Sequence, residues 1–271
     1  MAINTGTPRF TIGRTLGDSL KIFGRNIVAF ALVALAIRLL LLLAPNGQAV
    51  AVMTGTAQIN WFNAILSMVI TVVVISATKA IVVFPTMQNL RGHRAATSDL
   101  WRSIPFLSAI MVAGVIINLP SFASLIIQGL FPGNTAAIGI SGFVAGIAAL
   151  VLVLMWWLYA PTIAVEKGGA LHGLKRSSYL LSGQRWRVFG LLVIVGLASG
   201  LSVIAIAMLG GLRLTDLSSL ASIQWSPIGI AVFIISALIG AFDGVLITVS
   251  YYHLRVEKEG AIAEDLVQVF D

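Results

Sequence analysis

The 271-residue chain has no cysteine, which excludes disulfides, thiolate catalysis and cysteine-ligated metals. Charge is nearly as scarce: only 10% of residues are Asp, Glu, Lys or Arg, against roughly 25% in soluble domains. The chain has no phosphate-cradling glycine loop, no nucleophile elbow and no closely spaced pair of histidines of the metalloprotease kind. His93, His172 and His253 fall one by one near predicted membrane rims, where an imidazole is ordinarily solvated. No catalytic residue, metal or cofactor is therefore expected.

Apolar residues make up 58% of the chain. They gather into six stretches, at 26–44, 60–84, 104–131, 137–165, 188–209 and 227–252. A helix needs about 20 mostly apolar residues to cross a bilayer, so the expected fold is an all-α integral membrane protein with six transmembrane helices. The first stretch carries Arg38 and lacks the short, clean apolar core of a cleavable signal, so it is read as an anchor.

The basic residues set the orientation, because segments rich in Lys and Arg stay in the cytoplasm. Arg9, Arg14, Lys21, Arg25, Arg91, Arg94, Arg102, Lys167, Lys175, Arg176, Arg185, Arg187, Arg255 and Lys258 are 14 of the 17 basic residues, and all fall on one side of the spans. Arg213 alone falls on the other side. Both termini are thus expected to be cytoplasmic. Aromatic residues, which settle at headgroup level, mark the same boundaries: Trp61, Phe131 and Trp225 outside, and Phe84, Trp101, Trp156, Trp157, Tyr159, Trp186, Tyr251 and Tyr252 inside. Topology also explains the high pI, about 10.3, without nucleic acid as a partner. The expected partners are membrane lipids, with anionic headgroups on the cytoplasmic side attracted at about 1 kcal/mol per basic residue.

Repetition is visible where the even-numbered spans end. Val83-Phe84-Pro85-Thr86 leads to Leu90-Arg91-Gly92-His93, Tyr159-Ala160-Pro161-Thr162 leads to Val165-Glu166-Lys167-Gly168-Gly169, and Tyr251-Tyr252 leads to Val256-Glu257-Lys258-Glu259-Gly260. Short amphipathic segments flank each hairpin: Phe10, Leu16, Leu20 and Phe23; Leu100 with Ile104; Leu171, Leu174, Tyr179 and Leu181; and finally Ile262, Leu266 and Phe270. Spacings of three and four place these apolar residues on one helical face. The unit is a cytoplasmic surface helix, an outgoing span, a turn and a returning span. Three such units form parallel repeats, at about 10–90, 91–166 and 167–257, with 258–271 as a tail. Shared topology rules acting on any six-helix protein are the competing explanation.

The run Ala160-Pro161-Thr162-Ile163-Ala164-Val165-Glu166-Lys167, then Leu174-Lys175-Arg176-Ser177-Ser178-Tyr179-Leu180-Leu181-Ser182-Gly183-Gln184-Arg185-Trp186, resembles the glycerophosphoryl diester phosphodiesterase membrane-domain family and its stand-alone bacterial relatives. The ending Tyr251 to Gly260 and the opening Ile12-Gly13-Arg14-Thr15-Leu16 to Phe23-Gly24-Arg25-Asn26 are similar to it too. The resemblance implies a bacterial inner-membrane location. In that family the membrane part can be joined to a soluble phosphodiesterase. No such domain lies within these 271 residues, so the fold is carried over and the hydrolase activity is not.

Charges inside lipid cost about 2.5 to 3.5 kcal/mol each at a helix centre on insertion scales, so the candidate intramembrane polar site is Arg38, Lys79, Asn118 and Asp243. Lys79 and Asp243 lie at matching depth and are expected to pair; snorkelling of Lys79 is the alternative. Arg38, Asn118 with Pro120, and Ser199, Gly200 and Ser202 fall mid-way along the outgoing spans, where a break would make a site or merely accommodate packing. Glu166 with Arg176 and Glu257 with Arg255 are candidate structural ion pairs. Gly142 and Gly146, Gly196 and Gly200, and Gly240 and Gly244 are each four apart, the spacing of close helix contacts within the chain or in a homo-oligomer.

The function expected is that of a non-catalytic membrane module whose amphipathic collar engages anionic lipid or a membrane protein partner. A small transporter or lipid-handling protein with a central polar cavity is the alternative, and a membrane-embedded hydrolase the third reading.

Overall fold

The computed structural model describes residues 10–43, 61–93, 95–131, 134–209 and 226–260. The predicted amphipathic end with Ile262, Leu266 and Phe270, the outer Arg213 and Trp225, and most of the 258–271 tail lie outside them. Every regular element among the described residues is helical. Helix α1 (Ile12–Arg25) is followed by α2 (Ile27–Arg38), which passes into a 3-10 turn at Leu39–Leu43. Then come α3 (Trp61–Leu90), the short α4 (Thr97–Trp101), α5 (Leu107–Leu130), α6 (Thr135–Trp156) and α7 (Tyr159–Val165). Helices α8 (Ala170–Leu181), α9 (Arg185–Leu209) and α10 (Pro227–Glu259) follow among the described residues.

Among the described residues five segments are long and apolar enough to cross a membrane: Trp61–Leu90, Ser98–Leu130, Thr135–Val165, Arg185–Ile206 and Pro227–Glu259. A sixth is counted if α1 and α2, bent by 84° at Asn26, form one broken span. Such a fold fits a multi-pass membrane protein. Its surface agrees: on α6, Phe143 is 71% exposed and Val144, Ile147 and Leu150 are exposed with it, while Leu197 and Leu201 are exposed on α9. A monomer in water rarely shows so large a contiguous apolar surface.

Local chemistry explains the breaks. At Asn26 the side-chain amide donates to the Ile22 carbonyl at 2.9 Å and the backbone N–H to Phe23 O at 3.1 Å, closing α1 before α2 starts. The predicted span 137–165 divides into α6 and α7, and the Leu158 N–H between them donates to Ser177 Oγ at 3.0 Å. Pro161 falls in the first turn of α7, where its missing N–H leaves no helical bond unmade. By contrast, α5 runs unbroken through Asn118 and Pro120, and α9 through Ser199, Gly200 and Ser202. The hydroxyls of Ser199 and Ser202 donate to carbonyls four residues back, at 2.7 Å each. Only α2 changes its winding at the predicted mid-span position, directly after Arg38.

The core lies toward one end of the bundle, where α3 residues 80–87, all of α7 and α10 residues 244–251 are buried. Lipid is as apolar as leucine, so packing rather than hydrophobic transfer must hold these helices together. Close approach is achieved by glycine at specific places. A Cβ at Gly173 would sit 2.2 Å from Ile163, so α8 lies hard against α7, and one at Gly244 would meet Val82 at 3.4 Å and the Lys79 Cα at 3.5 Å. A Cβ at Gly142, Gly146, Gly196 or Gly200 would meet nothing within 4 Å. The glycine spacing on spans four and five therefore does not mark contacts within the chain among the described residues: α6 and α9 turn those faces away from the bundle. Gly240 and Gly244 do face other helices.

Candidate functional site

Two polar assemblies stand out, one at the basic end of the bundle and one among the spans. The first is organised by the last turns of α10. Arg176 on α8 grips Glu166, with Nε 2.8 Å from Oε1 and 3.0 Å from Oε2, and its terminal nitrogen also reaches Glu259. Arg255 donates to Glu259 at 3.1 Å and to the Tyr251 hydroxyl at 3.0 Å, and that hydroxyl donates to Glu166 at 3.0 Å. Glu166, Arg176, Glu259, Arg255 and Tyr251 thus form a closed ring of two acids, two bases and a phenol. Burial works against the charge on Arg176, but its bonds to Glu166 and Glu259 hold its pKa above the ordinary guanidinium value. Charge-assisted bonds of this kind are about twice as strong as neutral ones.

Glu257 has a different task. It accepts the Phe10 N–H at 2.8 Å and the Gln184 amide at 3.1 Å, while Arg187 donates to the Phe10 carbonyl at 3.0 Å. The expected pairing of Glu257 with Arg255 is therefore corrected. Residues two apart on a helix do not face each other, and the four-apart Glu259 takes the arginine instead. The two similar exits also differ in backbone. After Glu166 the chain turns at once, with Lys167 at φ 52°, whereas α10 continues through Glu257 and turns only at Gly260, φ 57°.

A third tie fixes α1 across α10. The His253 ring is 2% exposed, with Nδ1 3.1 Å from Thr15 Oγ and Nε2 3.2 Å from Asp18 Oδ2. Lys258 reaches the Tyr179 carbonyl and the Ser182 hydroxyl. His93 and His172 are exposed elsewhere, and among the described residues no three His, Asp or Glu side chains converge as a metal site requires.

In the second assembly, Lys79 Nζ on α3 lies 3.2 Å from Asp243 Oδ2 on α10 and 5.7 Å from the centre of the Tyr159 ring. Arg38 Nη1 donates to the Ser236 carbonyl at 2.8 Å, while its Nε is buried with no hydrogen-bond partner. Gly240, one turn beyond Ser236 on α10, faces Arg38: a Cβ there would lie 3.8 Å from Nη1. Asn118 turns its amide back to the Gly114 carbonyl of its own helix, at 2.8 Å.

Sequence reasoning missed Tyr251, Glu259, Asp18, Thr15 and Gln184. The four-residue spacing Tyr251, Arg255, Glu259 was a readable signal for a polar face on α10. Nothing in the sequence links Thr15 and Asp18 to His253, which lies more than 230 residues away. No protein-family model, curated protein or solved structure matches the chain.

Proposed function

We propose that the protein is a non-catalytic membrane module whose basic end faces the cytoplasm and engages anionic lipid headgroups. The observation that carries this reading is the 84° bend at Asn26. With α2 running along the bundle, α1 lies nearly in the membrane plane. It then presents exposed Lys21, Arg25 and Leu20, the last 60% exposed. Leu171 with Lys175, Trp101 with Arg102 and Trp186 with Arg185 repeat the combination of an exposed apolar and a basic side chain. Such pairs suit the headgroup level, where the ring or aliphatic body meets acyl chains and the cation meets phosphate.

On this reading the six spans are three parallel hairpin units in the inner membrane with both termini cytoplasmic, with α1, α4 and α8 as the short helices that open the units. The sequence resemblance to the glycerophosphoryl diester phosphodiesterase membrane-domain family supports the same assignment of fold. The test is lipid retention by the purified protein, measured by native mass spectrometry with phosphatidylglycerol and phosphatidylcholine. Each basic residue near an anionic surface contributes about 1 kcal/mol. Lys21→Glu with Arg25→Glu should therefore weaken phosphatidylglycerol binding by at least about 30-fold, and phosphatidylcholine binding far less. Equal retention of the two lipids by the parent protein would refute the proposal.

A further inference from the structure

Among the described residues Arg38 has no counter-charge, in a place where one is needed. Among the described residues, Asp18, Asp99, Glu166, Asp243, Glu257 and Glu259 are each held by other partners, and none lies within ion-pair distance of Arg38. A guanidinium stays protonated in proteins, so this charge cannot be relieved by losing a proton. Its depth is set by α2, which begins at Ile27 and brings Arg38 about 17 Å along the helix at 1.5 Å per residue. Its hydrogen-bond partner Ser236 lies nine residues into α10, about 14 Å from that helix's other end.

The surroundings form a notch rather than a plug. One nitrogen is used by the Ser236 carbonyl, Nε is buried without a partner, and Gly240 puts no side chain over the guanidinium. Arg38 is only half-buried, and Leu39 and Leu40 beside it are exposed. One turn further along α10 the Lys79–Asp243 pair is neutral as a whole, so among the described residues the charges inside the spans leave one positive charge uncompensated.

We propose that Arg38 is the receptor for a single oxyanion carrying one negative charge, held by the guanidinium fork between α2 and α10. The planar fork matches two oxygens of a phosphate ester or a carboxylate. The phosphodiester of a phospholipid and a small soluble anion share this chemistry. A lipid would lay its acyl chains along exposed Leu39 and Leu40. The inference is independent of the headgroup contacts at the basic end.

The test uses the delipidated full-length protein, titrated by native mass spectrometry with phosphatidylglycerol and phosphatidylcholine, and by thermal shift with inorganic phosphate and acetate. One ligand per chain should be retained even when Lys21→Glu and Arg25→Glu remove binding at the basic end, and Arg38→Gln should weaken it about tenfold or more, the worth of one charge-assisted contact. Gly240→Leu keeps the charge but fills the notch, so it should cause the same loss even if Arg38→Gln fails to fold. Lys21→Glu, at the basic end, should leave this ligand in place. Retained phospholipid that phosphate and acetate do not displace identifies a lipid. Arg38-dependent stabilisation by phosphate or acetate, with displacement of lipid, identifies a soluble anion. Equal binding by the parent protein, Arg38→Gln and Gly240→Leu would overturn the proposal. So would a parent protein that binds none of the four.

Discussion

Replacing Lys79 by Met, Asp243 by Asn, and both together asks whether the charges between α3 and α10 hold the bundle as a pair. At 3.2 Å and an effective dielectric constant of about 20, the attraction between the two charges is about 5 kcal/mol. Desolvation opposes it, and removing one partner of a buried pair typically costs about 3 to 5 kcal/mol, because the other charge is left uncompensated. The two single changes should not be equal. With Asp243→Asn, Lys79 keeps the Tyr159 face at 5.7 Å, worth about 0.5 to 2 kcal/mol. With Lys79→Met, Asp243 is left without a cation. Lys79→Met should therefore cost about 3 to 4 kcal/mol and Asp243→Asn about 2 to 3 kcal/mol. The double variant should fall short of their sum by about 2 kcal/mol or more. Equilibrium unfolding in mixed micelles, read by tryptophan fluorescence, measures all four corners of the cycle. Additivity within about 0.5 kcal/mol would refute the pairing argument, since independent sites behave in that way.

Glu166→Gln removes the charge and one of the two oxygens that serve Arg176 Nε and the Tyr251 hydroxyl, so micelle unfolding should show a loss of about 2 to 3 kcal/mol. Glu257→Gln, whose amide oxygen still accepts the Phe10 N–H, should lose less than half of that. Gly244→Leu drives a side chain into Val82 and the Lys79 backbone and should cost at least about 2 kcal/mol; Gly142→Leu and Gly196→Leu should fall within about 0.5 kcal/mol of the parent. Reporter fusions after Gly55, Asn134 and Ser219 should read as periplasmic, and those at Ala95, Gly169 and Asp271 as cytoplasmic. A periplasmic reading at Asp271 would reverse the topology.

The helices were legible because hydropathy is local: a long apolar run predicts a crossing helix whatever lies next to it, and the runs at 60–84 and 227–252 became α3 and α10. The Glu166–Arg176 contact was legible for a similar reason, since the two are ten residues apart at the end of one span and on the surface helix that follows it. The errors come from inference across elements. Four-residue glycine spacing is the same on α6, α9 and α10, but among the described residues only α10 has a neighbour against that face. Similar letters after Val165 and Val256 suggested similar roles, yet the backbone turns immediately in one and stays helical in the other. Asn118 and Pro120 suggested a break, but α5 runs on through both, and the Asn118 amide donates to a carbonyl of its own helix.

The face of α1 that enters the bundle would not be chosen from an apolar stripe. Thr15, Ser19 and Ile22 are buried while Leu20 is exposed. What meets that face is His253, a polar side chain at the end of a long apolar helix, and a buried imidazole requires hydrogen-bonding partners on the element that covers it. Thr15 and Asp18 supply them, and Leu20 is left on the outer face with Lys21. The same logic governs the acids at this end. Glu166, Glu257 and Glu259 are each absorbed in ties between helices and the chain segments that cover them. Lys21, Arg25, Lys175 and Arg185 are exposed, with no carboxylate at ion-pair distance among the described residues. Neutral ties inside and unpaired cations outside make the surface more positive than its composition implies. If the exposed cations engage an anionic membrane as proposed, fold strength and lipid attraction rest on different residues, so that changes in the ring should alter stability and changes at Lys21 and Arg25 should alter lipid binding, each leaving the other property largely intact.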